Sequence, residues 1–276
     1  MMDWNHFQAV HAQRCAEWFQ AAQAWMLGGK GLAQELSPYL IFVHSSEYNP
    51  EKHLLPQMQD VRTFGGFPVQ GGGSARGMYR GAEIWVVHQF MGCTATQLWL
   101  ECLKGTPVRY IIGLAEMTAY DDAVRIGDIV LPTVAARGDL VTDIHIAPDV
   151  PATGDADLLD RLEDKLRPSG WDVHRGAIYS GMPGGTGAHN PILREKVWRH
   201  LQTGLLGNAI ETSVTYLESM RLGFRAAEAW AVSDDIAYGY MEHTSDGKER
   251  WTHAWELIAQ AGLDVLADIA DEERNS

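Results

Sequence analysis

The side chains best suited to chemistry fall in five short groups along the chain. They are His44-Ser45-Ser46-Glu47, Gln89-Phe90-Met91-Gly92, Glu116-Met117-Thr118, Glu211 and Ser233-Asp234-Asp235. Four of the groups follow short apolar runs, and Glu211 opens a helical stretch after Gly204-Leu-Leu-Gly207. Carboxyl groups drawn from separate segments can divide the work of proton donor and proton acceptor, because burial and neighbouring charge push their pKa values apart. Each also has an ordinary use. A glutamate at a helix start complements the helix dipole, and an aspartate after a strand caps the next segment. Glu116 is within sequence reach of an ion pair with Arg109 or Arg125, and Glu47 reads equally as a solvated loop charge. No GxxxxGK[ST], GxSxG, HExxH or GxGxxG pattern occurs, which argues against kinases, serine hydrolases, zinc peptidases and dinucleotide enzymes. His44, His53, His88, His145, His174 and His189 lack the paired spacing of metal ligands, so neither metal nor cofactor is expected.

The elements that must hold these groups alternate between strand and helix. Apolar residues recur at helical spacing over 1–35, ending near Gly28-Gly29. Strands are expected at 40–43, 84–87, 108–112, 129–131, 173–180 and 227–232, with Tyr79-Arg80-Gly81 as a hairpin turn. Helices are expected at 95–104, 157–166, 192–201, 211–220 and 251–269, with a glycine loop over 181–187. Several strands are continuous apolar runs, the mark of burial on both faces. The reading is therefore α/β, with a central, mostly parallel or mixed twisted sheet flanked by helices on both faces. Residues 1–36 form a helical extension and 37–276 the α/β domain. In such sheets ligands bind at the carboxyl ends of the strands, where four of the five groups fall.

Charge and composition narrow the partners. The 276 residues carry 22 Lys+Arg against 36 Asp+Glu, a formal charge of −14, with no basic cluster to hold a phosphate backbone. Nucleic acid is not expected as a partner, nor is a membrane, since no apolar run nears the ~20 residues that span a bilayer. Cys15, Cys93 and Cys102 are odd in number and widely spaced, and the N-terminus lacks a signal-peptide pattern; a cytoplasmic location is expected. The 28 glycines point to many tight turns or a backbone that approaches a ligand closely.

Taken in order, the segments resemble the nucleoside phosphorylase and nucleosidase superfamily. Ile210-Glu211 stands where that family has a Met-Glu pair opening a helix, and Ser233-Asp234 where it has a Ser-Asp pair ending the next strand. Gly77-Met-Tyr-Arg-Gly-Ala-Glu-Ile-Trp-Val-Val87 resembles the family's hairpin strand. Val124-Arg-Ile-Gly-Asp-Ile-Val130 resembles a strand entry, Met91-Gly92 the ribose-side loop, and Ile178-Tyr-Ser-Gly181 the strand end before the base pocket. The resemblance covers about 38–270. It implies that Glu211 accepts hydrogen bonds from the ribose hydroxyls, that Asp234 protonates the departing base, and that Arg250 orients Asp234 or promotes that transfer. Met91, Gly92, Ser180, Gly181, Ile210, Ser233 and His189 would line the pocket. The family's oligomers imply a homo-oligomer, dimer, trimer or hexamer.

The pattern breaks where that family holds phosphate. Its loop after the first strand is replaced by His44-Ser-Ser-Glu-Tyr-Asn-Pro50, and the positions of its phosphate-binding Arg and Ser carry Gly113 and Glu116. A lost cation and an added carboxylate disfavour an anionic nucleophile. Water is expected in its place, with Glu116 and then Glu47 as the base. The expected activity is hydrolysis of a purine-type nucleoside. A phosphorylase, a glycosyl transferase and a catalytically silent nucleoside-binding homologue are the alternatives.

Overall fold

The computed structural model describes residues 3–45, 48–64, 73–89, 92–181, 191–235, 239–240 and 246–276. The apolar run Tyr39–His44 forms β1, buried at every position. It lies between two parallel neighbours, β4 (Ala82–Gln89) and β5 (Tyr110–Ala119). On the outer side β4 is one arm of a hairpin with β3 (Gly73–Tyr79), to which β2 (Gln59–Phe64) adds antiparallel. The hairpin turns at Arg80-Gly81, both at positive φ (47° and 79°), the backbone that two-residue turns between twisted strands require.

The other half of the sheet closes on itself. β5 pairs in parallel with β10 (Arg225–Asp235), and β10 pairs antiparallel with β6 (Ile129–Gly138). β6 runs parallel to β8 (Val173–Gly181), and β8 to the short β9 (Gly207–Ala209), which returns antiparallel to β5. Two-residue strands β7 (Ala152–Thr153) and β11 (Gly239–Tyr240) extend β6 and β10. The result is one mixed sheet of eleven strands among the described residues.

Helices cover both faces. They are α1 (Trp4–Leu27), α2 (Leu32–Glu35), α3 (Pro50–His53), α4 (Cys93–Cys102), α5 (Ala156–Leu166), α6 (Pro191–Leu201), α7 (Thr212–Leu222) and α8 (Gly247–Asn275). Alternation along β1 feeds two cores. Ile41 and Val43 pack with Ile112, Leu114 and the inner faces of α5 and α8. Leu40 and Phe42 pack with Trp85, Ile111 and Trp230 beneath α4, α7 and the end of α1. Leu158, Leu159, Leu162 and Leu166 recur at helical spacing and are buried, each contributing roughly 1.5–3 kcal/mol, while Asp155 caps α5 by accepting from Leu158 N. Much of the surface of α1 stands clear of this packing, with Trp4, Trp18 and Trp25 exposed along its length. Among the described residues no helix is long and apolar enough to cross a membrane.

Two strands run further than their apolar cores. β5 continues to Ala119, so Glu116 and Thr118 lie inside it, and β10 continues to Asp235 through an irregularity between Val232 and Asp234. Polar residues near a strand end still complete the hydrogen-bond ladder with their neighbours, which the run of hydrophobicity alone does not reveal.

Candidate active site

The start of α7 is fixed from three directions. Asn208 Nδ2 donates to the carbonyls of Tyr179, Gly181 and Ala209, tying β9 to the end of β8. Ser180 Oγ donates to the Ile210 carbonyl at 2.8 Å and accepts from Ser213 N at 2.9 Å. Ser213 Oγ in turn donates to Asp139 Oδ2 at 2.5 Å, and Asp139 Oδ1 accepts from both the backbone and the hydroxyl of Thr142. Glu211 sits at the N-cap of α7, yet its side chain makes no capping hydrogen bond. It turns instead to the start of α4 and accepts from Gly92 N at 2.5 Å. Gly92 lies at φ 139°, and a Cβ there would meet nothing within 4 Å, so the backbone conformation demands glycine and the space above it is open. Glu211 is buried, and its carboxyl is pushed up to about 8, chiefly by burial, with Glu228 and Glu116 adding to the rise and the Gly92 N–H opposing it.

Asp234 is held by β5. Thr118 Oγ1 donates to Oδ2 at 2.7 Å and Ser233 Oγ to Oδ1 at 2.7 Å. Burial raises its pKa against those two hydrogen bonds. The buried hydroxyl of Tyr120 has no hydrogen-bond partner and lies close enough to feel the Asp234 charge. Just beyond β1, Ser45 Oγ donates to Glu116 Oε2 inside β5 at 2.6 Å.

Other expected site residues fall differently. Arg250 does not reach Asp234: its Nη2 donates to Asp128 Oδ1 at 2.9 Å, its Nε to the Ile126 carbonyl at 3.1 Å, and its guanidinium lies over Trp171. The role of orienting Asp234 passes to Thr118 and Ser233. Neither ion pair weighed for Glu116 is found among the described residues, and Arg109 pairs with Glu273 instead. Ser180 and Ile210 bind each other and the α7 turn. Gly181 approaches Gly138 so closely that a Cβ would come within 2.7 Å of its carbonyl oxygen. Tyr179 packs at a tilt against the His200 ring and its hydroxyl accepts from Lys196 Nζ. Glu47, Met91 and His189 lie outside the described residues. Cys93 donates weakly to the Ile210 carbonyl, and burial beside Glu211 and Asp139 pushes its thiol up to about 12, so it is no nucleophile at neutral pH. Among the described residues no group of three or more His, Cys, Asp or Glu is arranged to hold a metal ion.

Sequence reasoning passed over Asp139, Ser213 and Glu228. For Glu228 the signal was present: a lone carboxyl inside Ala226-Ala-Glu-Ala-Trp-Ala-Val232, a run otherwise wholly apolar. It is fully buried, and burial raises it to about 7 against the hydroxyls of Thr212 and Thr215 and the Trp230 indole.

Comparison with known proteins agrees with this architecture. Residues 52–183 match the family model of the phosphorylase superfamily. No curated protein sequence matches the chain significantly. Among solved structures, uridine phosphorylase from Vibrio fischeri ES114 superposes with a TM-score of 0.77 at 17% identity, over 86% of this chain and 94% of that one. The same enzyme complexed with 6-hydroxy-1-naphthoic acid gives 0.76 at 17% identity, over 86% and 93%. With a sequence match over its central segment, the chain is similar to the phosphorylase superfamily there, and it shares the uridine phosphorylase fold over most of its length.

Proposed function

We propose that this chain cleaves the N-glycosidic bond of a purine-type nucleoside with water as nucleophile. Bond breaking builds positive charge on the sugar and negative charge on the base. Glu211, ionised on binding, accepts hydrogen bonds from the ribose hydroxyls and offsets the charge on the sugar. Asp234 delivers a proton to the base. Glu116, oriented by Ser45, takes the proton from the attacking water. The observation that supports this reading is the Ser45–Glu116 hydrogen bond, which ties the residue after β1 to a carboxyl group on β5. In the same reading the chain works as a cytoplasmic homo-oligomer, with residues 1–36 as a helical extension on the α/β domain.

Phosphorolysis is the second reading, favoured by the likeness to a uridine phosphorylase. One experiment separates them: inosine, adenosine and uridine are incubated with and without phosphate, and free base, free ribose and ribose 1-phosphate are scored. Free ribose released at a phosphate-independent rate is expected. Ribose 1-phosphate formed only when phosphate is present would establish the second reading instead.

A further inference from the structure

Below the site lies a buried pair that the proposed reaction leaves unused. Gly113 and Glu228 are register partners on β5 and β10. A Cβ built on Gly113 would stand 2.6 Å from Glu228 Cγ and 3.0 Å from its Oε1, so the glutamate already fills the space of any larger residue at 113. Glu228 Oε2 accepts from Trp230 Nε1 at 3.0 Å. Its Oε1 faces His44 Nε2 at 3.9 Å, with no hydrogen bond made by either atom. The other imidazole nitrogen, Nδ1, meets Gln89 Nε2 at 2.9 Å, and the same amide donates to Thr96 Oγ1 at 2.5 Å. Thr96 Oγ1 continues to the Gly92 carbonyl, and Gly92 N to Glu211. Glu228 and Glu211 are also close enough to raise one another's cost of ionisation.

We propose that Glu228, backed by His44, is a specificity-determining residue that fills the floor of the nucleophile pocket with a carboxyl group and so refuses phosphate. This rests on the reading of water as nucleophile and gives it a structural cause. The ionised Glu228 carboxylate repels an oxyanion brought into the space beside it. The imidazole beside it adds no cation, since burial pushes His44 down to about 3. Nor can an arginine enter at 113, because Glu228 holds that volume. The Arg109 and Arg250 ion pairs lie on Glu273 and Asp128, on other elements.

The test uses inorganic phosphate as probe, with binding read by calorimetry and thermal shift and products read as above. Wild type, Glu228→Gln, Gly113→Arg and the double variant Glu228→Ala/Gly113→Arg are compared. Wild type is expected to ignore phosphate, and Gly113→Arg alone to fail to fold. The double variant is expected to fold and to bind phosphate at least about tenfold more tightly than wild type. A folded double variant as blind to phosphate as wild type overturns the proposal and leaves the water reading standing. Phosphate-dependent sugar phosphate from the wild type overturns both. Should the double variant not fold, Glu228→Gln decides, since it keeps the shape and removes the charge: tighter phosphate binding supports the proposal, and unchanged binding overturns it.

Discussion

Replacing Glu211 with glutamine should stabilise the protein while abolishing its activity, and the size of the gain should depend on pH in a defined way. The Glu211 carboxyl is raised from 4.5 to about 8 in the folded chain, mainly by burial. A carboxyl raised by folding binds its proton more tightly in the native state, so native stability falls as pH climbs from the unfolded value toward the folded one. Each unit between those limits costs about 1.4 kcal/mol. The accumulated penalty is about 3 kcal/mol at pH 7 and levels off near 5 kcal/mol above pH 8. Glutamine keeps an oxygen to accept from Gly92 N and never ionises, so it escapes the penalty. Urea unfolding of wild type and Glu211→Gln from pH 5 to pH 9 isolates the residue, because all other titrations cancel in the difference. The variant should match wild type near pH 5, gain steadily through pH 7, and hold a constant advantage above pH 8. A difference that stays flat with pH, or a variant less stable throughout, would refute the assignment of a proton to Glu211 in the empty site. Base release should fall with the same substitution, since a neutral amide cannot offset charge on the sugar.

Further outcomes follow from the same geometry. Asp234→Asn should slow release of a neutral base by about 10²–10⁴ while costing much less for a nucleoside whose base already carries a positive charge, such as 7-methylinosine, measured as kcat on the two substrates. Arg250→Ala should leave the pH profile of base release unchanged and cost about 1–3 kcal/mol in urea unfolding, because buried Asp128 loses a partner. That loss should deepen as pH rises. His174, whose pKa is raised by its hydrogen bond to Asp128, supports the carboxylate fully below pH 6.5 and ceases to do so as pH passes its raised value. Gly127→Ala should lower the melting temperature by several degrees, since φ is 86° and a Cβ would lie 2.4 Å from Arg250 Cβ; an unchanged melting temperature would show that the turn can shift freely. Ser213→Ala should cut kcat more than it raises KM, because it frees the turn carrying Glu211 without removing a group that touches substrate.

Much of this fold was legible because its signals are local. The continuous apolar runs of β1 and β4, the Arg80-Gly81 turn and the four leucines of α5 each declare their structure within a dozen residues. What was not legible depends on pairing across the sheet. β9, three residues long and closing the ring between β8 and β5, carries no periodicity of its own. β2 is exposed along most of its length and held by its neighbour. Arg250 illustrates the same limit within the site. Its position in the chain matched a family role, but a side chain on a helix reaches whatever carboxylate lies under it, and here that is Asp128 on the turn before β6.

Gly113 shows most clearly where sequence and structure divide the work. Set against the resemblance, its identity implies that a cation is missing from this point of β5. It leaves open whether the space is empty, filled by water, or taken by a neighbour, and these have different chemical consequences. An empty or watery pocket still admits an oxyanion held by some other group. The register of β5 against β10 closes that question, because it places Glu228 opposite Gly113 and within 2.6 Å of the missing Cβ. A glycine and a glutamate that are 115 positions apart in sequence therefore form one structural unit, in which nothing larger than glycine fits at 113 while Glu228 stands opposite. The unit is costly to keep, since it buries a carboxyl and an imidazole whose facing atoms make no hydrogen bond. Apolar residues at 44 and 228 would fill the same volume without that cost. A buried polar pair kept at such expense beside Glu211 is better explained by what it does to the charge of the site than by the packing it provides.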